Sequence, residues 1–149
     1  MEQTWDDNDH PAAGPAGFEV VEHTADWAVR VHGRDLRRLL CNAARAMNSL
    51  LVADVGAVPL DVEVRVELEA FDRESMLVEW LSELAYLAER NGYIFREFEL
   101  ETATPLALRA VIRGGRAPEL QKHIKAVTYH NLEVVETADG LEATVVFDV

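Results

Sequence analysis

Val62-Glu63-Val64-Arg65-Val66-Glu67-Leu68-Glu69 alternates apolar and charged residues without a break. Successive side chains of a strand point to opposite faces, so this stretch reads as a strand with one buried and one charged face. Just beyond it the period changes. Asp72 is a good N-cap, and Met76, Leu77, Trp80, Leu81, Leu84, Leu87 and Ala88 follow at helical spacing before Asn91-Gly92 ends the run.

The same two patterns recur outward from this stretch. Upstream, residues 18–21 are a short apolar run, and Trp27, Val29 and Val31 alternate with Ala28, Arg30 and His32. These read as two strands around a turn at His23-Thr24. Asp35 then caps a first helix, whose stripe is Leu36, Leu39, Leu40, Ala43, Met47, Leu50 and Leu51. Downstream, residues 93–101 and 106–112 read as strands joined by a short turn. Gly114-Gly115-Arg116-Ala117-Pro118 reads as a loop, and residues 119–122 as a short turn or helix. Residues 131–137 pair with 141–149 as a hairpin across Ala138-Asp139-Gly140. No period repeats. The order predicts an α+β two-layer sandwich: a mostly antiparallel or mixed sheet of about seven strands, with two main helices on one face.

Composition narrows the function classes. The chain has 149 residues, enough for one domain with a real core, and 49% of them are hydrophobic. Its net charge of −13, from 14 Lys and Arg against 27 Asp and Glu, argues against a nucleic-acid grip made by this chain alone. An acidic surface suits cations or a basic protein partner instead. The single cysteine, Cys41, excludes an internal disulfide and a cysteine zinc site, and its place on an apolar helix face marks it as core. No apolar stretch is long enough to span a membrane and no signal-peptide pattern is present, so the expected compartment is the cytoplasm. Residues 1–17 carry acids, prolines and glycines but no basic residue, and read as a flexible acidic leader; His10 beside Asp7 and Asp9 either holds a metal weakly or, as is more common, belongs to that solvated tail.

Parity picks out the candidate chemistry. Trp27, Val29 and Val31 face the core, so Asp26 faces away. Leu141, Ala143, Val145 and Phe147 share one face, so Asp148 points opposite. If the two strands are antiparallel neighbours, Asp26, Asp148 and the carboxylate of Val149 meet, and three anions together call for a hard divalent cation held through oxygens. On spacing alone the favoured alternative is a pair of solvated strand-end acids, or Asp26 as a turn cap. His23 either joins such a site or bonds the turn backbone. His123 and His130 flank Lys125, either as an acid–base group or as a polar loop that touches a partner. Glu79 and Glu83 lie one helical turn apart, opposite the apolar stripe, as an acidic face for a basic partner.

His23-Thr24-Ala25-Asp26, the Glu74–Leu84 helix segment, Ile124-Lys125-Ala126-Val127-Thr128-Tyr129-His130 and the terminal Phe147-Asp148-Val149 together resemble the archease family, in its order and spacing. The likeness covers residues 18–149, a single archease-like domain. It implies a small acidic protein cofactor, not itself an enzyme, of the RtcB-type GTP-dependent RNA ligase, promoting guanylylation and multiple turnover in tRNA splicing or RNA repair. The metal site implied by the family falls on Asp26, Asp148 and Val149, the last through a backbone or terminal oxygen, with a divalent ion of the Ca²⁺ or Mg²⁺ class. A tag added after Val149 is then expected to weaken metal binding. Trp27-Ala28 stands where the family usually has a smaller pair, and Asn131 where aspartate is common. Two rival readings are a stand-alone metal-dependent phosphohydrolase and a chaperone-like acidic interaction module.

Overall fold

The computed structural model describes residues 17–22 and 27–149. The expected acidic leader up to residue 16, with His10, and the candidates His23 and Asp26 lie outside the described residues. The elements run β1 (Phe18–Glu22), β2 (Trp27–Gly33), α1 (Leu36–Leu51), a short 3₁₀ turn (Val55–Ala57), β3 (Val62–Glu69), α2 (Arg73–Asn91), β4 (Tyr93–Ala103), β5 (Ala107–Arg116), β6 (Ala126–Thr128), β7 (Val135–Thr137) and β8 (Gly140–Asp148).

The architecture is α+β with antiparallel strands and two main helices, as the sequence predicts, but the strands divide between two sheets. One has five strands in the order β1-β2-β8-β6, with β7 beside β6 along the same edge of β8; the other has three, β3-β5-β4. The helices hold the sheets together. α1 packs on β2 and reaches β4 of the smaller sheet, while α2 packs on β3, β4 and β5 and reaches β6 of the larger one. Trp80, fully buried on α2, donates its indole N–H to the Leu40 carbonyl of α1 at 2.9 Å and meets Phe98 of β4 edge to face. One indole therefore joins both helices to the smaller sheet.

Both helices start where their caps place them. The Asp35 carboxylate accepts from the Arg38 N–H at 2.9 Å. Asp72 and Ser75 form a reciprocal capping box, and the Ser75 N–H and hydroxyl hold the Asp72 carboxyl below its usual range. Gly92 ends α2 at φ 72°, a left-handed position that glycine takes without strain. All seven residues of the expected α1 stripe are buried. Two polar residues are buried beside them. Asn42 donates to the His32 carbonyl and Asn48 to the Phe95 carbonyl, each at 2.8 Å.

The Asn48 bond has a geometric cause. β4 slips register between Phe95 and Glu97 and again between Leu100 and Thr102. α1 supplies a donor at each slip: Asn48 to Phe95 O, and Arg37 Nε to Leu100 O at 2.9 Å. Eleven helical residues rise roughly 16 Å, and five strand residues span about the same, so the two donors match the two slips. A buried carbonyl left without its donor costs about 1–3 kcal/mol, which makes Asn48 a polar residue the core requires.

Three sequence expectations change. Gly114 and Gly115 are not a loop, because β5 continues through Arg116. Gly114 lies opposite the Phe95 slip, where a Cβ would overlap the Ile94 carbonyl, so only glycine lets β4 come this close. Residues 119–122 form no helix; the Gln121 N–H goes to the Leu51 carbonyl at 2.8 Å and closes the end of α1. The last hairpin is short. β7 pairs only with residues 140–142, and β6 takes the far end of β8, pairing Ala126 with Asp148 and Thr128 with Val146.

Candidate functional site

β2 and β8 are antiparallel neighbours, in unbroken register from Gly33–Leu141 to Trp27–Phe147. The expected parity holds on β8: Ala143, Val145 and Phe147 are buried and Asp148 is exposed. β6 flanks β8 on its other side and fixes its end. The Lys125 N–H donates to the Asp148 carbonyl at 2.7 Å, so Lys125 acts here through its backbone while its side chain is exposed. Val149 is half-buried against the core.

A surface pocket of about 360 Å³ opens at this end of β8, lined by Thr128, His130, Val146, Phe147 and Asp148. The Thr128 hydroxyl donates to the Val146 carbonyl at 3.0 Å and accepts from the His130 N–H at 3.3 Å. The chain then turns at Asn131, whose φ of 51° is left-handed. Asparagine tolerates that conformation better than most residues. The Asn131 amide lies 3.3 Å from the His130 Nε2. His123 goes elsewhere, 3.0 Å from Glu89 near the end of α2. The two histidines flanking Lys125 are thus not one acid–base group; His130 alone lines the pocket.

Two residues with no role in the sequence reading stand beside this end. The Lys122 ammonium sits 4.0 Å from the centroid of the Trp27 ring, a close cation–π contact next to the start of β2. Tyr129 is exposed just after β6, a strand that packs on α2. Partial burial, then Glu79, then Asp72 raise its hydroxyl above the ordinary tyrosine value. Tyr129 therefore stands on the pocket loop within electrostatic reach of α2, where Glu79 is exposed and Glu83 half-buried. Neither placement was legible beforehand, because β6 is only three residues long and shows no periodicity.

As to a metal, no group of three or more His, Cys, Asp or Glu side chains is placed to hold one among the described residues. Asp148 and Val149 supply carboxylate and backbone oxygens, a donor type that fits a hard divalent cation and not a soft one. No helix of the described residues is long and apolar enough to cross a membrane.

The model of the Archease protein family (MTH1598/TM1083) matches residues 18–149, the whole span from β1 through the pocket to Val149. The chain belongs to the archease family. Protein archease of Methanosarcina acetivorans is 39% identical over 140 residues, covering 89% of this chain and 95% of that one. The archease of Archaeoglobus fulgidus is 36% identical over 136 residues, with 89% and 98% covered. The solution structure of protein 1598 from Methanobacterium thermoautotrophicum superposes with a TM-score of 0.76 at 31% identity, covering 90% of this chain and 99% of that one. A crystal structure from Thermotoga maritima, described as an archease and possible chaperone, has a TM-score of 0.62 at 24% identity, covers 88% and 96%, and shows the archease fold alone. Within this archease fold Trp27 is half-buried and Ala28 fully buried, with Lys122 over the Trp27 ring.

Proposed function

We propose that this archease activates an RtcB-type GTP-dependent RNA ligase, promoting guanylylation and repeated turnover, and that it holds a divalent ion of the Ca²⁺ or Mg²⁺ class at Asp26, Asp148 and Val149. The β2–β8 register is the observation that carries the metal part. Trp27 stands opposite Phe147; Asp26 is bonded to the first and Asp148 to the second, and neighbouring Cα atoms are only about 3.8 Å apart. That closeness supports a shared anionic end of the two strands. Family membership supports the ligase part.

The chain's own residues have definable tasks in this reading. Lys125 and Ala126 pin the end of β8, so the Asp148 carboxylate is presented by a strand held on both sides. Thr128 and His130 shape the adjacent pocket and offer hydrogen bonds there. The bound ion would supply Lewis acidity and ligation for phosphate oxygens. The reaction itself stays with the ligase, and this chain acts as its protein cofactor.

The test is Asp148→Ala, with Asp26→Ala beside it, in an RNA-joining assay with purified ligase under single- and multiple-turnover conditions. The expected outcome is loss of multiple turnover and of guanylylation stimulation, with an unchanged melting temperature because Asp148 is exposed. Full multiple turnover with Asp148→Ala would end the metal-centred version and favour the acidic interaction module, the use that the words possible chaperone suggest for the Thermotoga relative. Hydrolysis of a small phosphate ester by the chain alone would favour the phosphohydrolase.

A further inference from the structure

Phe71 is the residue just before the N-cap of α2. A large apolar residue there ordinarily folds back onto the fourth helical residue, here Met76, and steadies the helix start. In this chain Met76 is fully buried, yet Phe71 is 89% exposed. Its backbone is not loose. The Phe71 N–H donates to the Ser75 hydroxyl at 2.9 Å, and the preceding Ala70 N–H to the Leu106 carbonyl at 3.1 Å. A rigid backbone thus presents an aromatic ring to solvent.

The ring begins a longer surface. Asp72, Glu79 and Tyr86 recur every seven residues, which keeps them on one stripe of α2 over roughly 21 Å. All three are exposed, as is Tyr129, which follows β6, the strand that packs on α2. Among the described residues, neither Asp72 nor Glu79 is in an ion pair. Exposed, pre-organised aromatics mixed with unpaired charge are the composition of a docking surface rather than of a solvated face.

We infer that this face of α2, from Phe71 to Tyr86 with Tyr129, docks a basic segment of a partner protein, seating its Lys or Arg side chains on Asp72 and Glu79 and its apolar parts on the aromatic rings. Charge complementarity selects the occupant: a chain of net charge −13 repels an acidic partner and an RNA phosphate backbone alike. The inference rests on the ligase reading for the partner's identity. It is independent of the metal.

The experiment measures binding of purified RtcB-type ligase by calorimetry at low and moderate salt, alongside the joining assay. Phe71→Ala and Glu79→Lys should each weaken binding about tenfold or more, with unchanged melting temperature. Arg109→Ala, on the outer face of the smaller sheet, should leave it unaltered. Wild-type binding should weaken as salt rises. If the wild-type chain stimulates the ligase and both variants bind within about twofold of it, this surface is wrong and the activator reading stands. If the wild-type chain neither binds nor stimulates the ligase, both fall together.

Discussion

Two charged faces of this molecule behave differently. The outer face of the smaller sheet carries many acids, but the sheet neutralises several of them itself. Arg113 reaches Glu63 at 3.0 Å and Glu99 at 3.3 Å, Arg65 reaches Glu101 at 3.3 Å, and Arg109 lies 3.9 Å from Glu67. The α2 face offers Asp72 and Glu79 with aromatic neighbours and no ion-pair partner among the described residues, and its Arg90 lies 6.0 Å from the centroid of the Tyr86 ring. Exposed ion pairs contribute little to stability, so the first pattern mainly prevents repulsion between neighbouring carboxylates. In the second the acids remain available to a partner. Counting charge in the sequence would rank the two faces alike; the placement of arginine separates them.

The largest stability effect is expected from breaking the scaffold of the paired face. Gly114→Ala pushes a methyl into the Ile94 carbonyl and should destabilise the fold by about 1–3 kcal/mol in urea unfolding, with the β4–β5 register disturbed in amide exchange. An unchanged unfolding midpoint would mean that the close approach of β4 is not as described.

A smaller effect should follow from removing the shared cation. Arg113→Leu leaves Glu63 and Glu99 facing each other without their arginine, the two carboxylates that hold its guanidinium above its ordinary value. Melting temperature should drop modestly at low salt and recover at about 0.5 M salt, where screening is strong. Ligase stimulation should not change. A loss of stimulation would erase the distinction between the two faces.

The smallest effect concerns Tyr129 and sharpens the other side of the comparison. Its raised value means that the folded chain holds the phenolic proton more tightly than the unfolded chain does. The corresponding stability is present below the ordinary value of 10.0 and is lost as pH rises through the folded value. Glu79→Gln removes the larger of the two charge contributions, so an NMR titration should place Tyr129 closer to its ordinary value, though still above it because partial burial remains the main cause. No movement would show that Glu79 and Tyr129 do not share a surface.

Much of this was legible from residue types. The alternation of residues 62–69, the stripes of both helices and the caps Asp35 and Asp72 reappear where periodicity and capping chemistry put them, because these signals depend on neighbours within one or two turns. The parity of Asp148 was legible for the same reason. Gly114 misled because glycine marks both loops and close backbone approaches, and only the partner strand distinguishes them. The strand β6 was missed because three residues show no period.

By itself, then, the sequence determined the α+β class, the two helices, the outward turn of Asp148 and the family, all of which rest on local pattern or on motifs in order. Tertiary structure decided how the strands divide into two sheets, which histidine reaches the pocket, that β6 packs on α2, and which acids are paired. Those outcomes depend on contacts between segments far apart in the chain, such as Arg113 with Glu63, and no local periodicity encodes which distant side chain will stand opposite.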